Sequence, residues 1–450
     1  MARDRDALVA LDLPTSPTFV DLFAGGGGLS LGLLRAGWRG LFAVESEPNA
    51  FQTLKANLID GKRGLSYEWP QWLPKEPQEI GQFISSYKRQ LRKLRGKIDL
   101  LAGGPPCQGF SSAGRRRQSD PRNRLFKHYV EMARIIRPRF LVFENVPGIA
   151  VEFDKGIRRQ WNPRRVGRPP KTYLARIIEE LDSLGYDVVT LHERASDFGI
   201  PQTRSRILLL GFERQLAPDI TEDRIRGLLA AERDRVLSAR GLESDPVVGV
   251  KEALSDLETT GRCLVDSVDS PGFRQVVYGG PLTRYQRAMH DSMSDLEAPN
   301  SMRLVNHRPE TRKRFVQILA TCRRGVKLST EDRERFGILK SSTTPLDPLK
   351  PSHTLTSLPD DLIHYSEPRI LTVREYARLQ SFPDWYEFRG KYTTGEDRRR
   401  YEVPRYTQVA NAVPPLLAEI VGRVIRELSS QHSANVGSTA FHEQEGQLAV

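Results

Sequence analysis

Between Thr18 and about Phe212, short apolar runs alternate with longer amphipathic ones. The runs TFVDLF, GLFAVE, IDLLAGG, RFLVFENV, YDVVTLHER and RSRILLLGF read as strands, nearly continuous in apolar character and so buried on both faces. Helices are predicted between them. In 122–136, Leu125, Tyr129, Ala133 and Ile136 recur on one helical face. KTYLARIIEELDSLG closes at Gly185, in the position of a C-terminal cap. Strands alternating with helices predict an α/β fold, a parallel sheet with helices covering both faces.

After Phe212 the pattern breaks. Through about Lys350 the chain is polar and irregular, with charged helical pieces such as TEDRIRGLLAAERDRVLSARG, as expected of a second domain or a long insertion. Order returns at RILTVREYARLQSFPDWYEF. The last strong helix, PPLLAEIVGRVIREL, starts at two prolines, where missing N–H groups cost little. A chain of 450 residues exceeds one ordinary core. The expected division is a disordered tail at 1–16, a catalytic domain at 17–212 completed by 404–430, a smaller domain at 213–403, and a disordered, aperiodic tail at 431–450. The sequence contains no internal repeat.

Composition narrows the class. A formal charge of +12, gathered in clusters such as YKRQLRKLRGK, GRRRQSDPRNR, GIRRQWNPRRVGRPPK and EDRRRYEVPRY, suits a polyanionic partner. The three cysteines, Cys107, Cys263 and Cys322, lack metal-ligand spacing, so no metal is expected and a reducing compartment fits. No run has signal-peptide or bilayer-spanning length, which predicts a soluble protein.

The first strand runs through Asp21 into LFAGGGGLSLGLLRAG. Glycines 25 to 28 let the backbone turn sharply and approach a ligand, and the following helix offers free N–H groups. Ser30 stands where a dinucleotide fingerprint needs its third glycine, and no lysine makes a phosphate loop. Asp21 would repel a pyrophosphate and attract an ammonium or sulfonium group, which favours S-adenosylmethionine over a nicotinamide dinucleotide. Glu45, ending the second strand, suits ribose hydroxyls, and Asp99, taken as ending the third, suits an adenine amino group. Any one such acid could instead be a helix cap.

Cys107 lies in GGPPCQGFSS, behind two prolines and among glycines, after the third strand. A lone cysteine is more often a small buried hydrophobe, but this loop would present the thiol at the sheet's carboxyl edge. The neighbouring arginines favour its thiolate. Glu144 follows four apolar residues in FLVFENVPGI, in a dry site that favours a protonated carboxyl. A thiolate and a carboxylic acid side by side can add to an aromatic heterocycle and protonate its ring nitrogen. Cytosine needs that chemistry.

The ordered set DLFAGGGGLSLGL, VESEPNAFQTLKANL, GGPPCQGFS, ENVPG, QTRSR, RILTVREYARLQSFP and YTQVANAVPP resembles the DNA (cytosine-5) methyltransferases of bacterial restriction-modification type, over most of 18–426. The resemblance implies a Rossmann-like methyltransferase sheet with a smaller, irregular target-recognition domain. It implies that Cys107 attacks C6 of a cytosine flipped from duplex DNA, that Glu144 protonates or hydrogen-bonds N3, and that Arg204 and Arg206 hold the base O2 and flanking phosphates. Asp21, Phe23, Gly25, Gly27, Leu29, Glu45, Asp99, Pro106, Asn411 and Val413 would line the S-adenosylmethionine pocket. No base for the C5 proton is identified.

Within the smaller domain, the resemblance assigns target choice to 213–361, whose arginine, tyrosine and amide content suits phosphates and base edges. Ala410 replaces the family's usual glycine before Asn411; a positive φ there would cost about 1 kcal/mol. The insert at 152–172 contains a Gly-Arg-Pro core around Arg168 resembling an AT-hook, and 61–97 reads as a basic helical excursion near DNA. The expected enzyme is a cytoplasmic, nucleoid-associated monomer, paired with an endonuclease on the same site. The alternatives are a tRNA cytosine-5 methyltransferase and a catalytically inactive DNA-binding scaffold.

Overall fold

The structure, a computed structural model, describes residues 16–61, 63–106, 125–151, 172–215, 220–242, 247–393 and 402–447, with 432–447 described in backbone alone. Cys107, the AT-hook-like core around Arg168 and the tail at 1–15 therefore lie outside the described residues.

All six predicted strands form: β1 (Thr18–Leu22), β2 (Arg39–Val44), β3 (Leu100–Gly103), β4 (Phe140–Asn145), β5 (Tyr186–Arg194) and β6 (Ser205–Glu213). They make one sheet in the order β2-β1-β3-β4-β6-β5. The first four are parallel. β6 runs antiparallel to both neighbours, with Phe212 opposite Phe140 and Glu213 opposite Tyr186. This corrects the all-parallel expectation. The 195–204 link between β5 and β6 is too short for a crossover helix, so the chain must turn back.

Each face of the sheet is buried by a different set of helices. Phe19 belongs to a cluster with α1 (Gly28–Arg35), α2 (Pro48–Leu54) and the last helix, α14 (Pro415–Gln447), while Val20 and Leu22 face α3 (Ile80–Ser86), α4 (Lys88–Lys93), α5 (Phe126–Ile136) and α6 (Tyr173–Ser183). The 61–97 excursion is thus a core layer as well as a basic one: Phe83 packs on Phe42 at 5.6 Å between ring centroids. α1 and α14 cross closely at Gly32, where a Cβ would come 2.3 Å from Ala418 Cβ. α14 runs into the 431–450 segment, which the sequence reading expects to be a disordered tail. Its backbone continues to Gln447 because no proline after Pro415 stops propagation from a well-packed start.

Beyond the sheet follow α7 (Glu222–Ser238), α8 (Val250–Leu254), the hairpin β7 (Leu264–Asp266) and β8 (Arg274–Val276), α9 (Arg284–Met289), α10 (Pro309–Thr321), α11 (Thr330–Arg335), the short pair β9 (Thr344–Pro345) and β10 (Leu362–Ile363), α12 (Val373–Leu379) and α13 (Arg405–Asn411). Leu237 of α7, Tyr285 of α9 and Tyr376 of α12 join the same cluster as Phe19. Two small separate cores stand apart from it, one around Phe315, Ile318 and Phe336, the other around Leu257, Val276 and Tyr278.

Candidate active site

The chain order reverses between β1 and β3, and ligands of open α/β sheets bind beyond the carboxyl ends of strands at such a point. The glycine loop lies there. Phe23 opens it in the left-handed region, with φ +59°, an uncommon setting for an aromatic residue. Gly25 has φ +55° and open space where a Cβ would stand. Gly27, with φ +87°, caps α1, and Leu29 is buried inside that helix. Glu45 follows β2 and secures the loop: its Oε2 accepts from the Gly25 N–H at 2.8 Å and its Oε1 from the Glu47 N–H at 2.8 Å. Burial raises the Glu45 pKa, against the backbone donors of Glu47 and Gly25.

Asp21 lies beneath this loop, fully buried, rather than at its mouth. Ser30 Oγ donates to its Oδ2 at 2.5 Å and Tyr67 OH donates to Ser30 Oγ at 2.7 Å, while Oδ1 has no hydrogen-bond partner. Burial pushes its pKa up to about 7, the Ser30 hydroxyl pulling it down and Glu45 pushing it up. The other titratable groups coupled to it are Tyr67, Tyr129 and Tyr386. A carboxyl whose pKa is raised on folding stabilises the fold most at low pH, and that contribution is lost as pH rises through 7. In thermal melts of the unliganded protein, Asp21→Asn should raise Tm by roughly 5 °C at pH 8 and by progressively less towards pH 5. A gain independent of pH would show that the carboxylate is not the cause.

Asp99 needs correction. β3 begins at Leu100, so Asp99 precedes the strand and lies at the amino edge of the sheet, opposite the glycine loop. There its Oδ2 accepts from the Thr18 N–H at 2.8 Å, and its Oδ1 lies 3.5 Å from Arg139 Nη1. It closes the sheet's far end and cannot reach an adenine at the loop.

β3 and β4 end side by side, and this brings Glu144 to the stem of the Cys107 loop. A Cβ on Gly104 would stand 3.2 Å from Glu144 Oε2, and Asn145 Nδ2 donates to the Pro105 carbonyl at 3.2 Å. Pro106, exposed, is the last described residue before Cys107. The other oxygen of Glu144 is ion-paired: Arg206 Nε lies 2.7 Å from Oε1, both side chains being buried. The sequence reading did not include this pair.

Gln202, Arg204 and Arg206 alternate, and each reaches a different part of the chain. Arg204, 2% exposed, donates from Nη1 to the Ala410 carbonyl at 2.7 Å. Neither arginine is laid on the surface for a phosphate. Ala410 is helical, at the end of α13, and is not among the residues with positive φ, so the glycine-to-alanine departure introduces no backbone strain. Asn411 is exposed, and Val413 holds its carbonyl 2.3 Å from where a Gly28 Cβ would be. Residues 410–413 thus lie against the start of α1.

Some residues with structural leverage here carry no local sequence signal. Tyr386 OH donates to the Gly26 carbonyl at 2.6 Å, and Arg389 N–H donates to Thr53 Oγ1 at 2.8 Å, tying the 380s to the glycine loop and α2. Gln380 sits inside the quoted RLQSFP stretch without an assigned role. The site fits S-adenosylmethionine: the space at Gly25 admits a ligand, the partly exposed Glu45 can accept from ribose hydroxyls, and the unpartnered Asp21 Oδ1 places negative potential under the loop.

Residues 17–427 match the family model for the C-5 cytosine-specific DNA methylases. The chain is 30% identical over 427 residues to the Type II methyltransferase M.XorII of Xanthomonas oryzae pv. oryzae (strain KACC10331 / KXO85), across 91% of this chain and 84% of that protein. It is also 30% identical over 423 residues to the Type II methyltransferase M1.HphI of Haemophilus parahaemolyticus, across 92% and 88%. Among solved structures, a DNA modification methyltransferase encoded within a prophage (E. coli) is similar, with a TM-score of 0.61 and 26% identity over 92% of this chain and 100% of that one.

Proposed function

Because the chain belongs to the C-5 cytosine-specific DNA methylases and is an S-adenosylmethionine-dependent DNA cytosine-5 methyltransferase, we propose the following division of labour among its own residues. The Cys107 thiolate adds to C6 of a cytosine turned out of the duplex, because C6 is inaccessible within the stack. The electron pair displaced from the C5–C6 bond passes towards N3, which Glu144 protonates or hydrogen-bonds, leaving C5 nucleophilic. When bound, S-adenosylmethionine supplies an electrophilic methyl group at that carbon. Loss of the C5 proton then expels the thiolate. Arg206, against Glu144 Oε1, keeps the acid oriented so that Oε2 faces the loop stem. Arg204 and Arg206 back the base's O2.

Phe23, Gly25, Gly27, Leu29, Glu45, Pro106, Asn411 and Val413 form the cofactor pocket, with Asp21 acting through the loop above it. Residues 17–212 with 404–430 form the catalytic part and 213–403 the recognition part; the separate small cores around Phe315 and Tyr278 support the latter. The Type II names of the relatives support a role beside a restriction endonuclease acting on the same site. We place the enzyme in the cytoplasm, acting as a monomer on nucleoid DNA; no helix among the described residues is long and apolar enough to cross a membrane.

The observation that carries this reading is the juxtaposition of Glu144, Arg206 and the Gly104–Pro105 stem at the ends of β3 and β4. The test exposes unmethylated plasmid to the protein and S-adenosylmethionine, then maps modified cytosines by bisulfite sequencing. Protection within one short sequence is expected. Methylation of tRNA in preference to duplex DNA would overturn the proposed substrate.

A further inference from the structure

Residues 410–413 leave the end of α13 and line the start of α1. Two of their carbonyls, those of Ala410 and Ala412, accept from side chains far away in the chain. Gln380, fully buried just after α12, donates from Nε2 to the Ala412 carbonyl at 2.7 Å. Its Oε1 in turn accepts from Gln202 Nε2, which also donates to the Leu379 carbonyl at 3.1 Å. Gln202 is itself fully buried and held at its other end: its Oε1 accepts from the Leu355 N–H at 3.1 Å. Two residues along, Arg204 fixes the Ala410 carbonyl.

We propose that Gln202 and Gln380 form a directional amide relay that positions the Ala410–Val413 segment for the cofactor, Gln380 acting on Ala412 directly and Gln202 acting through Gln380. An amide is polar end to end: it donates at nitrogen and accepts at oxygen. Leu355 N–H oriented towards Gln202 therefore sets the orientation of Gln202, which sets that of Gln380, which presents a donor to Ala412. The strand that carries Arg204 and Arg206 and the segment that carries Asn411 are thereby held in one register. Buried networks of this kind either have every partner satisfied or reorganise.

The inference rests on the reading that 410–413 lines the cofactor pocket, so the experiment includes a variant that tests that reading alone. Full-length protein is titrated calorimetrically with S-adenosylmethionine, and steady-state kinetics are measured with duplex DNA. Gln380→Glu, assayed at a pH where its carboxyl is ionised, keeps the acceptor for Gln202 but offers Ala412 no donor. Cofactor Kd and KM should rise about tenfold, with kcat and DNA affinity close to those of the unsubstituted protein and Tm lowered by the buried carboxyl. Gln202→Glu keeps the acceptor for Leu355 N–H, but its new oxygen draws the Gln380 amide round to donate to it, turning the Gln380 oxygen towards Ala412. It should weaken the cofactor by the same factor although Gln202 bonds Leu355, Leu379 and Gln380 rather than the pocket segment.

Asn411→Ala is the control on the pocket. If it weakens cofactor binding and neither glutamine variant does, the relay is overturned and the pocket stands. If Gln380→Glu weakens binding and Gln202→Glu does not, transmission between the two amides is overturned. If none of the three changes Kd, the pocket assignment itself fails. Should Gln380→Glu lower Tm sharply, Gln202→Glu decides by the same criterion.

Discussion

A Cys107→Ala variant should lose methyl transfer to duplex DNA by at least about a thousandfold, while gel-shift affinity for the same DNA stays within a few fold. Removing a covalent nucleophile closes the stepwise route, and the remaining groups supply only binding and orientation. Gly104 and Pro105 run past Glu144 and Asn145, so the described stem of this loop stands beside the carboxyl proposed to act on the ring nitrogen. The other two cysteines, Cys263 and Cys322, lie in the 213–403 segment. The measurement is transfer of radiolabelled methyl groups from S-adenosylmethionine under single-turnover conditions. Retention of even a tenth of the activity would remove Cys107 from the chemistry.

Arg378→Met should cost the fold about 3–5 kcal/mol, read as a lowered urea midpoint. Arg378 is completely buried in α12 between two carboxylates. Its Nε lies 2.5 Å from Asp384 Oδ1 and its Nη2 lies 2.8 Å from Asp256 Oδ2, with Nη1 also donating to the Ala253 carbonyl at 3.0 Å. His290 Nδ1 at 2.8 Å from Asp384 and Tyr278 OH at 2.9 Å from Asp256 complete the cluster. Removing the guanidinium strands two buried acids, which costs more than the pairs contribute to stability. Adding Asp256→Asn and Asp384→Asn to Arg378→Met should therefore restore much of the loss. A triple variant no more stable than the single one would show that packing, not charge, is at stake.

What the chain discloses and what it conceals divide along physical lines. The six strands were legible because a buried strand must be a short apolar run, and Gly185 and Pro415 mark helix ends through backbone geometry alone. The direction of β6 was not, since apolar alternation reads the same from either end. Asp99 was misplaced although a signal existed: in GLFAVE and RFLVFENV the acid follows the apolar run, whereas in IDLLAGG the longer apolar run comes after it. The ion pair between Glu144 and Arg206 was not legible in the sequence, because β4 and β6 meet only in the sheet. Tyr67, Gln380 and Tyr386 act across long stretches of chain, and no local pattern records a contact of that range.

The crossing of α1 with α14 has a consequence for how the enzyme is made. Synthesis proceeds from the amino end, and early parts of a chain fold first where they can. Here they cannot finish. The face of α1 bearing Gly32 and Leu33 is covered by Pro415, Ala418 and Gly422, and the segment that abuts the glycine loop is translated only just before them. A nascent or prematurely terminated chain therefore leaves this apolar face of α1 uncovered and open to proteolysis.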